Sequence, residues 1–238
     1  MTDNEEPPKR RWKAKPPKSG AGGGERQMFT RVKNKKLDES SRNWMKRHLN
    51  DPYVARARAD GYRARAAYKL TELDEQFHLI KRGMRVIDLG AAPGGWAQVC
   101  VQRGCKIVGV DLLPVEPLEG AIFFEMDLTD PATPAVLLEA LGGPPDLVLS
   151  DMAANTTGHA KTDQIRTGAL AEAAADFALE HLAHGGAFVT KAFQGGLDSS
   201  LLPRLKQGFA TVRHAKPPAS RAESSEVYVV AQGRKPPA

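Results

Sequence analysis

The stretch VIDLGAAPGGWAQ, residues 86–98, leaves the chain little freedom in how it folds. A short apolar run, Val86-Ile87-Asp88-Leu89, leads into Gly90, Gly94 and Gly95, with Pro93 among them. A helix-like run from Trp96 to Val101 follows. An apolar strand, a tight glycine loop and a helix start, in that order, open a nucleotide-type site in an α/β sheet. Glycine lets the main chain approach a ligand closely, and the first helical turn presents unpaired N–H groups.

The residues around this stretch repeat the strand–helix alternation of an α/β fold. Strands are expected at 85–89, 106–110, 121–126, 146–150 and 187–190, with two more near 211–214 and 227–231. Helices are expected at 96–103, 134–141, 162–184 and about 198–207. In the long helix Ile165, Leu170, Ala173, Phe177, Leu179 and Leu182 read as inward, with Gly185-Gly186 as its stop. Upstream, Ala67, Leu70, Leu73 and Phe77 follow helical spacing over 66–77. Asp38 or Ser40 is placed to cap a helix that buries Trp44, Met45 and Leu49 and stops at Asp51-Pro52.

In open α/β sheets ligands bind at the carboxyl ends of the strands. Here those ends carry Gly90, Asp111, Asp127, Asp151 and Lys191. Asp127 and Asp151 also suit turns or helix caps. The glycine loop narrows the ligand. A dinucleotide fingerprint needs a second glycine beside the pyrophosphate, and Ala92 stands there. Asp111 lies 21 residues after Gly90, the usual place for an acid that binds a ribose diol. S-adenosylmethionine, which has a ribose and an amino-acid tail but no phosphates, fits both observations. In that reading Asp127 takes the adenine amino group.

Charge points to the partner. Residues 1–68 hold 18 Lys and Arg against 8 Asp and Glu, whereas residues 69–238 hold 16 against 20. The basic excess sits in the N-terminal quarter and suggests an anionic partner, nucleic acid foremost. Residues 1–36, rich in Pro, Gly, Lys and Arg, are expected to form a disordered basic tail ahead of an ordered domain at 37–238. Arg56, Arg58, Arg63 and Arg65 interleave with Tyr53, Tyr62 and Tyr68, a pattern suited to phosphate contact and base stacking. The alternative is an amphipathic helix with solvated arginines. His159 and Thr156-Thr157 are further candidates for RNA contact.

No apolar run approaches the length of a membrane span, and the polar N-terminus has no secretory core. Cys100 and Cys105 have no histidine cluster beside them, so free thiols in a reducing cytoplasm are expected and no metal site.

The segments VIDLGAAPGGWAQV, VGVDLLPVEPLEG, DLVLSDMAANTTGH, FVTKAFQGG and SSEVYVVAQG together resemble the FtsJ/RrmJ family, over about residues 38–233. The resemblance implies an α/β class I (Rossmann-like) methyltransferase: a seven-stranded, mostly parallel sheet with helices on both faces and the last strand antiparallel. It implies S-adenosyl-L-methionine as cofactor and 2′-O-methylation of a uridine in the A-loop of 23S rRNA. The substrate would be the assembled large (50S) subunit, and the enzyme a cytoplasmic monomer. The family's Lys-Asp-Lys-Glu tetrad falls on Lys69 in YKL, Asp151 in LSDMA, Lys191 in VTKAF and Glu226 in SSEVY. Its cofactor positions fall on Gly94, Trp96, Asp111, Asp127 and Asp151.

Transfer of an already activated methyl group needs alignment of the attacking oxygen and management of one proton, and alignment alone supplies about 7–11 kcal/mol. Lys191 is the candidate proton acceptor. A free lysine, with an ordinary pKa of about 10.4, is mostly charged at neutral pH, so its surroundings decide that role. Lys69 and Glu226 would hold the hydroxyl and Lys191, and Asp151 would orient Lys191. Rival readings are a related 2′-O-methyltransferase acting on tRNA or an mRNA cap, a non-catalytic RNA-binding assembly factor, and an NAD-linked dehydrogenase. Ala92 disfavours the last, and an intact tetrad disfavours the second.

Overall fold

The computed structural model describes residues 42, 45, 46, 48–154, 159–193 and 201–236. The chain divides into two units, Met1–Asn50 and Asp51–Ala238. The basic tail, Trp44, Thr156 and Thr157 lie outside the described residues. In the first unit residues 42, 45, 46, 48 and 49 are helical. Leu49, expected to be buried, is 39% exposed. It sits in the last turn, where Asn50 Nδ2 donates to the Lys46 carbonyl at 2.6 Å.

The second unit begins with two helices, α1 (Pro52–Ala59) and α2 (Ala66–Phe77). Asp51-Pro52 starts α1: the Asp51 carboxylate accepts the Tyr53 N–H and Pro52 fills the first turn. The remaining elements are β1 (Arg85–Leu89), α3 (Gly95–Gln102), β2 (Lys106–Asp111), β3 (Ala121–Glu125) and α4 (Thr133–Leu141), then β4 (Leu147–Ser150), α5 (Ala160–His181), β5 (Ala187–Phe193), α6 (Leu201–Gly208), β6 (Phe209–Ala215) and β7 (Glu226–Arg234).

The seven strands lie in the order β3-β2-β1-β4-β5-β7-β6. All pairs are parallel except those of β7, which runs antiparallel to β5 and β6. From β1 the chain builds outward one way through β2 and β3, then returns to build the other way from β4. The β1/β4 boundary is therefore the switch point, where open α/β sheets leave a crevice.

The central strands are buried on both faces, as a doubly covered parallel sheet requires. One face packs against α2 and α3 through Leu70, Leu73, Trp96 and Val99. The other packs against α4, α5 and α6 through Leu137, Phe177, Leu201 and Leu205.

Two elements differ from expectation. β5 runs three residues beyond Thr190, because β7 pairs with it as far as Phe193↔Glu226. Lys191 therefore lies inside a strand, not past its end. α5 stops at His181, and Leu182 is already extended, so Gly185-Gly186 belongs to the following turn. Along α5 the buried stripe is Ala171, Ala174, Ala175, Phe177 and Ala178, while Ile165 is 65% exposed. Small side chains let the helix sit close to the sheet.

Ala174→Leu should therefore destabilise the protein by about 1–3 kcal/mol through overpacking. Ile165→Ser should stay within about 0.5 kcal/mol of the parent. Urea unfolding of both variants checks the orientation of α5, and a reversed order would contradict it.

Candidate active site

Side chains alternate between the faces of a strand with a period of two. Asp88 pairs with Gly109 and Leu149, and two residues further along those chains stand Asp111 and Asp151. Leu149 pairs with Val189, two residues before Lys191, and Lys191 pairs with Tyr228, two residues after Glu226. The register thus sets Asp88, Asp111, Asp151, Lys191, Tyr228 and Glu226 on one face, the face that α2 and α3 cover. The reversal of β7 brings Glu226, at the beginning of its strand, beside the end of β5.

α2 adds Lys69 from above. Its Nζ lies 2.8 Å from Glu226 Oε1 and 2.9 Å from Oε2. It also donates to the Tyr228 hydroxyl at 3.0 Å and stands 3.9 Å from Asp151 Oδ1. Lys191, 7% exposed, donates to the Asp151 main-chain carbonyl at 2.5 Å and lies 3.1 Å from Asp151 Oδ1. Ser220 Oγ donates to Glu226 Oε1 at 2.8 Å. Two lysines and two carboxylates withdrawn from water are tolerated because each has an opposite charge and further hydrogen bonds.

Tyr228 was not singled out from sequence, yet it joins the two halves of this network. Its hydroxyl donates to Asp151 Oδ1 at 2.6 Å while accepting from Lys69. The ring is fully buried and lies 5.9 Å from Trp96. Burial, then the Asp151 and Glu226 carboxylates, push the phenol well above its ordinary pKa, so it is a neutral donor throughout the working range. The available signal was its spacing, two residues after Glu226 on a strand. Burial alone would raise the Asp151 carboxyl. The Lys191 and Lys69 ammoniums and the Tyr228 hydroxyl outweigh that and hold it below the usual carboxylate range.

The expected cofactor residues have distinct settings. Asp111 accepts the Ala92 N–H at Oδ2 and the Leu113 N–H at Oδ1, both at 2.9 Å, and so ties the glycine loop to the end of β2. Gly94 caps α3 with φ 102°, a conformation open mainly to glycine. A Cβ there would stand 2.7 Å from Arg63 Nη1, so the missing side chain makes room for protein. Trp96 is buried, and its Nε1 donates to the Ala66 carbonyl at 2.7 Å, seating α2 and hence Lys69. Asp127 is exposed. Its Oδ1 accepts the Thr129 N–H and hydroxyl, each at 2.8 Å, and these bonds lower its carboxyl pKa.

Asp88 was another omission. It is 1% exposed, and neither oxygen has a hydrogen-bond partner among the described residues. Burial, then the Asp151 and Asp111 carboxylates, push its pKa up to about 8.

Within the arginine–tyrosine segment, Arg63, Arg65 and the tyrosines make contacts inside the protein. Arg63 donates to the carbonyls of Pro93 (3.3 Å), Glu116 (2.6 Å) and Pro117 (2.7 Å). Arg65 binds Asp51 and the Ala219 carbonyl. Tyr68 packs 5.6 Å from Tyr53 and 5.5 Å from Tyr62. Arginine has five donors, and main-chain carbonyls satisfy them as phosphates do. Arg56 and Arg58 are exposed. Both cysteines are free and buried.

A Rossmann-like sheet with a reversed seventh strand, a glycine loop after β1 and paired lysines and acids over the strand ends defines an enzyme of the methyltransferase class. The family model for FtsJ-like methyltransferase matches residues 62–234, and the chain belongs to that family. A curated relative from Novosphingobium aromaticivorans, named ribosomal RNA large subunit methyltransferase E, is 60% identical over 203 residues, covering 84% of this chain and 91% of its own. One of the same name from Sphingopyxis alaskensis is 58% identical over 219 residues, covering 91% and 95%. A crystal structure from Plasmodium falciparum, assigned as a ribosomal RNA methyltransferase, superposes with TM-score 0.65 at 28% identity, covering 73% of this chain and 98% of that one.

Two outcomes are expected. Tyr228→Phe should lower turnover roughly tenfold, equivalent to about 1.4 kcal/mol, by loosening Asp151 and Lys69 while leaving cofactor affinity near normal. Steady-state kinetics with calorimetric binding tests this, and unchanged turnover would remove Tyr228 from the network. For Asp88 the folded carboxyl titrates at about 8 and the unfolded one near its ordinary value of about 3.9. Its contribution to stability is complete below the unfolded value and declines as pH rises toward the folded one. Melting of the ligand-free protein should show Asp88→Asn gaining on the parent between about pH 5 and pH 8. A pH-independent difference would contradict the assignment.

Proposed function

We propose that this methyltransferase uses S-adenosyl-L-methionine to methylate the 2′-oxygen of a uridine in the A-loop of 23S rRNA within the large ribosomal subunit. The observation that carries the reading is the closed network of Lys69, Glu226, Tyr228, Asp151 and Lys191 over the strand ends. Curated relatives named ribosomal RNA large subunit methyltransferase E, at 53–60% identity, support the substrate class. The N-terminal basic excess supports an RNA partner. We further take the enzyme to act as a cytoplasmic monomer, with residues 1–36 as a basic tail ahead of the catalytic domain.

The residues fit the cofactor. Asp111, already fixed by the glycine-loop N–H of Ala92, stands where a ribose diol is bound. Asp127, at the exposed end of β3, is open to the adenine amino group. Gly94 and Trp96 shape the loop and the wall behind it. The orphaned oxygens of Asp88, with Asp151 and Asp111 as neighbours, suit a cationic ligand. When bound, S-adenosylmethionine supplies a methyl group on an electron-poor sulfonium.

This chain's residues then manage the nucleophile. Lys191 first passes its own extra proton to solvent, and as the neutral amine its Nζ then receives the 2′-hydroxyl proton as the oxygen gains its methyl group. Asp151 holds that nitrogen from two atoms, carbonyl and carboxylate, which fixes its direction. Once the proton has moved, the same carboxylate balances the charge of the ammonium formed. Lys69, anchored by Glu226, keeps its ammonium beside the oxygen and takes no part in accepting the proton. Positioning of this kind supplies the larger share of rate.

Lys191→Ala should lose at least about a hundredfold in methyl transfer, the lower range for general-base removal, while calorimetry still detects cofactor binding. Near-normal turnover would sink the role. Mapping of 2′-O-methyl groups on rRNA from a deletion strain should show the loss of one A-loop uridine mark. An intact mark there, with loss on tRNA or a cap, would redirect the assignment to a related enzyme.

A further inference from the structure

We propose that Asp88 is neutral in the free enzyme and ionises when the positively charged cofactor settles among the strand-end acids, so that cofactor binding releases a proton to solvent. The inference rests on the S-adenosylmethionine reading above.

Three observations lead to it. Asp88 stands in β1 at the switch point of the sheet, directly beneath the glycine loop. Its two oxygens are buried without a partner among the described residues, a costly arrangement for a carboxylate that no ligand ever meets. By register it shares one face with Asp111 and Asp151, and those acids oppose its ionisation.

The groups packed around it can be named. From β2 comes Asp111, whose oxygens hold the Ala92 and Leu113 amides. From the end of β4 comes Asp151, paired with Lys191 and bonded by Tyr228. From α2 comes Lys69, joined to Glu226. From α3 comes Cys100, a buried thiol that burial and then Asp88 push well above its ordinary pKa, so it stays neutral. Neither lysine bonds to Asp88, and both already face other carboxylates. A cation entering this acid cluster reverses the balance at Asp88 and lets its proton leave.

The consequence is a pH-dependent preference for substrate over product. S-adenosylmethionine carries a sulfonium charge that S-adenosylhomocysteine lacks. Below the Asp88 value of about 8, binding the sulfonium must expel a proton, so affinity should strengthen as pH rises. Binding the neutral thioether leaves the proton in place. Asp88 takes a proton back from solvent once the methyl group has gone.

Calorimetry at about pH 6.5, below the Asp88 value and the ordinary α-amino value of about 7.7–8.0, tests this in buffers of different ionisation enthalpy. The full-length enzyme should release about one proton per S-adenosylmethionine and clearly less per S-adenosylhomocysteine. Its dissociation constant for S-adenosylmethionine should fall by up to about tenfold per pH unit below the Asp88 value, and that for the product should stay flat. Asp88→Asn, close in shape to the neutral acid, should bind the cofactor with no proton release and no such slope. Equal proton release in parent and variant would overturn the proposal. Infrared difference spectra of the unaltered enzyme give a second route, because the band of a buried protonated carboxyl should vanish on adding cofactor. Its persistence would also overturn the proposal. Failure to bind S-adenosylmethionine at all would instead refute the cofactor reading on which the inference stands.

Discussion

Two ammonium groups and two carboxylates are held out of bulk water above the strand ends, and the architecture of this enzyme has to keep them together. Burying a charge costs several kcal/mol unless an opposite charge and hydrogen bonds receive it. Lys69 with Glu226, and Lys191 with Asp151, meet that condition, and the Tyr228 hydroxyl bridges the pairs. Removing one member would leave its partner buried and uncompensated. This network therefore constrains α2, β4, β5 and β7 together, although those elements are far apart in sequence.

The reversed β7 is what makes the arrangement possible. A parallel strand in that place would bring its carboxyl end to the crevice. An antiparallel one brings its beginning, so Glu226 and Tyr228 enter the site from residues just past the 216–225 connection. That connection is itself fastened. Ala219 N–H donates to Glu72 at 2.6 Å, Arg65 reaches the Ala219 carbonyl, and Arg221 joins Arg65 on Asp51. Arg65, one of the arginines that suggested nucleic-acid contact, thus braces the approach to Glu226. Such bracing is the outer support that a preorganised site needs.

How far the sequence discloses this differs by residue. The order of strands and helices follows from apolar runs and glycine stops, because those signals are local. Asp151 and Lys191 stand out at strand ends, and matching motifs join them to Lys69 and Glu226. That matching says which residues matter without saying what holds them. Tyr228 and Asp88 escaped because a tyrosine or aspartate inside a strand has the same local pattern whether it faces a core or a site. Only the register across β1, β4, β5 and β7 separates the two cases. Arg63 and Arg65 show the same limit: a guanidinium that binds main-chain carbonyls has the same spacing as one that binds phosphate.

The glycine loop illustrates the same limit from the other side. Its glycines suggested close approach of a ligand to the main chain. At Gly94 the space is taken by Arg63, and at Gly90 by Met152, the residue after Asp151. Arg63 also reaches Pro93 in the loop and Glu116 and Pro117 beyond Asp111. The loop is therefore shaped by the protein's own packing: one glycine admits the chain leaving β4, and the other admits a clasp from the α1–α2 connection. Asp111 closes the set by holding Ala92. A loop fixed on three sides is preorganised, so little ordering entropy opposes binding. The glycines serve the ligand indirectly, by letting the surrounding protein hold the loop still.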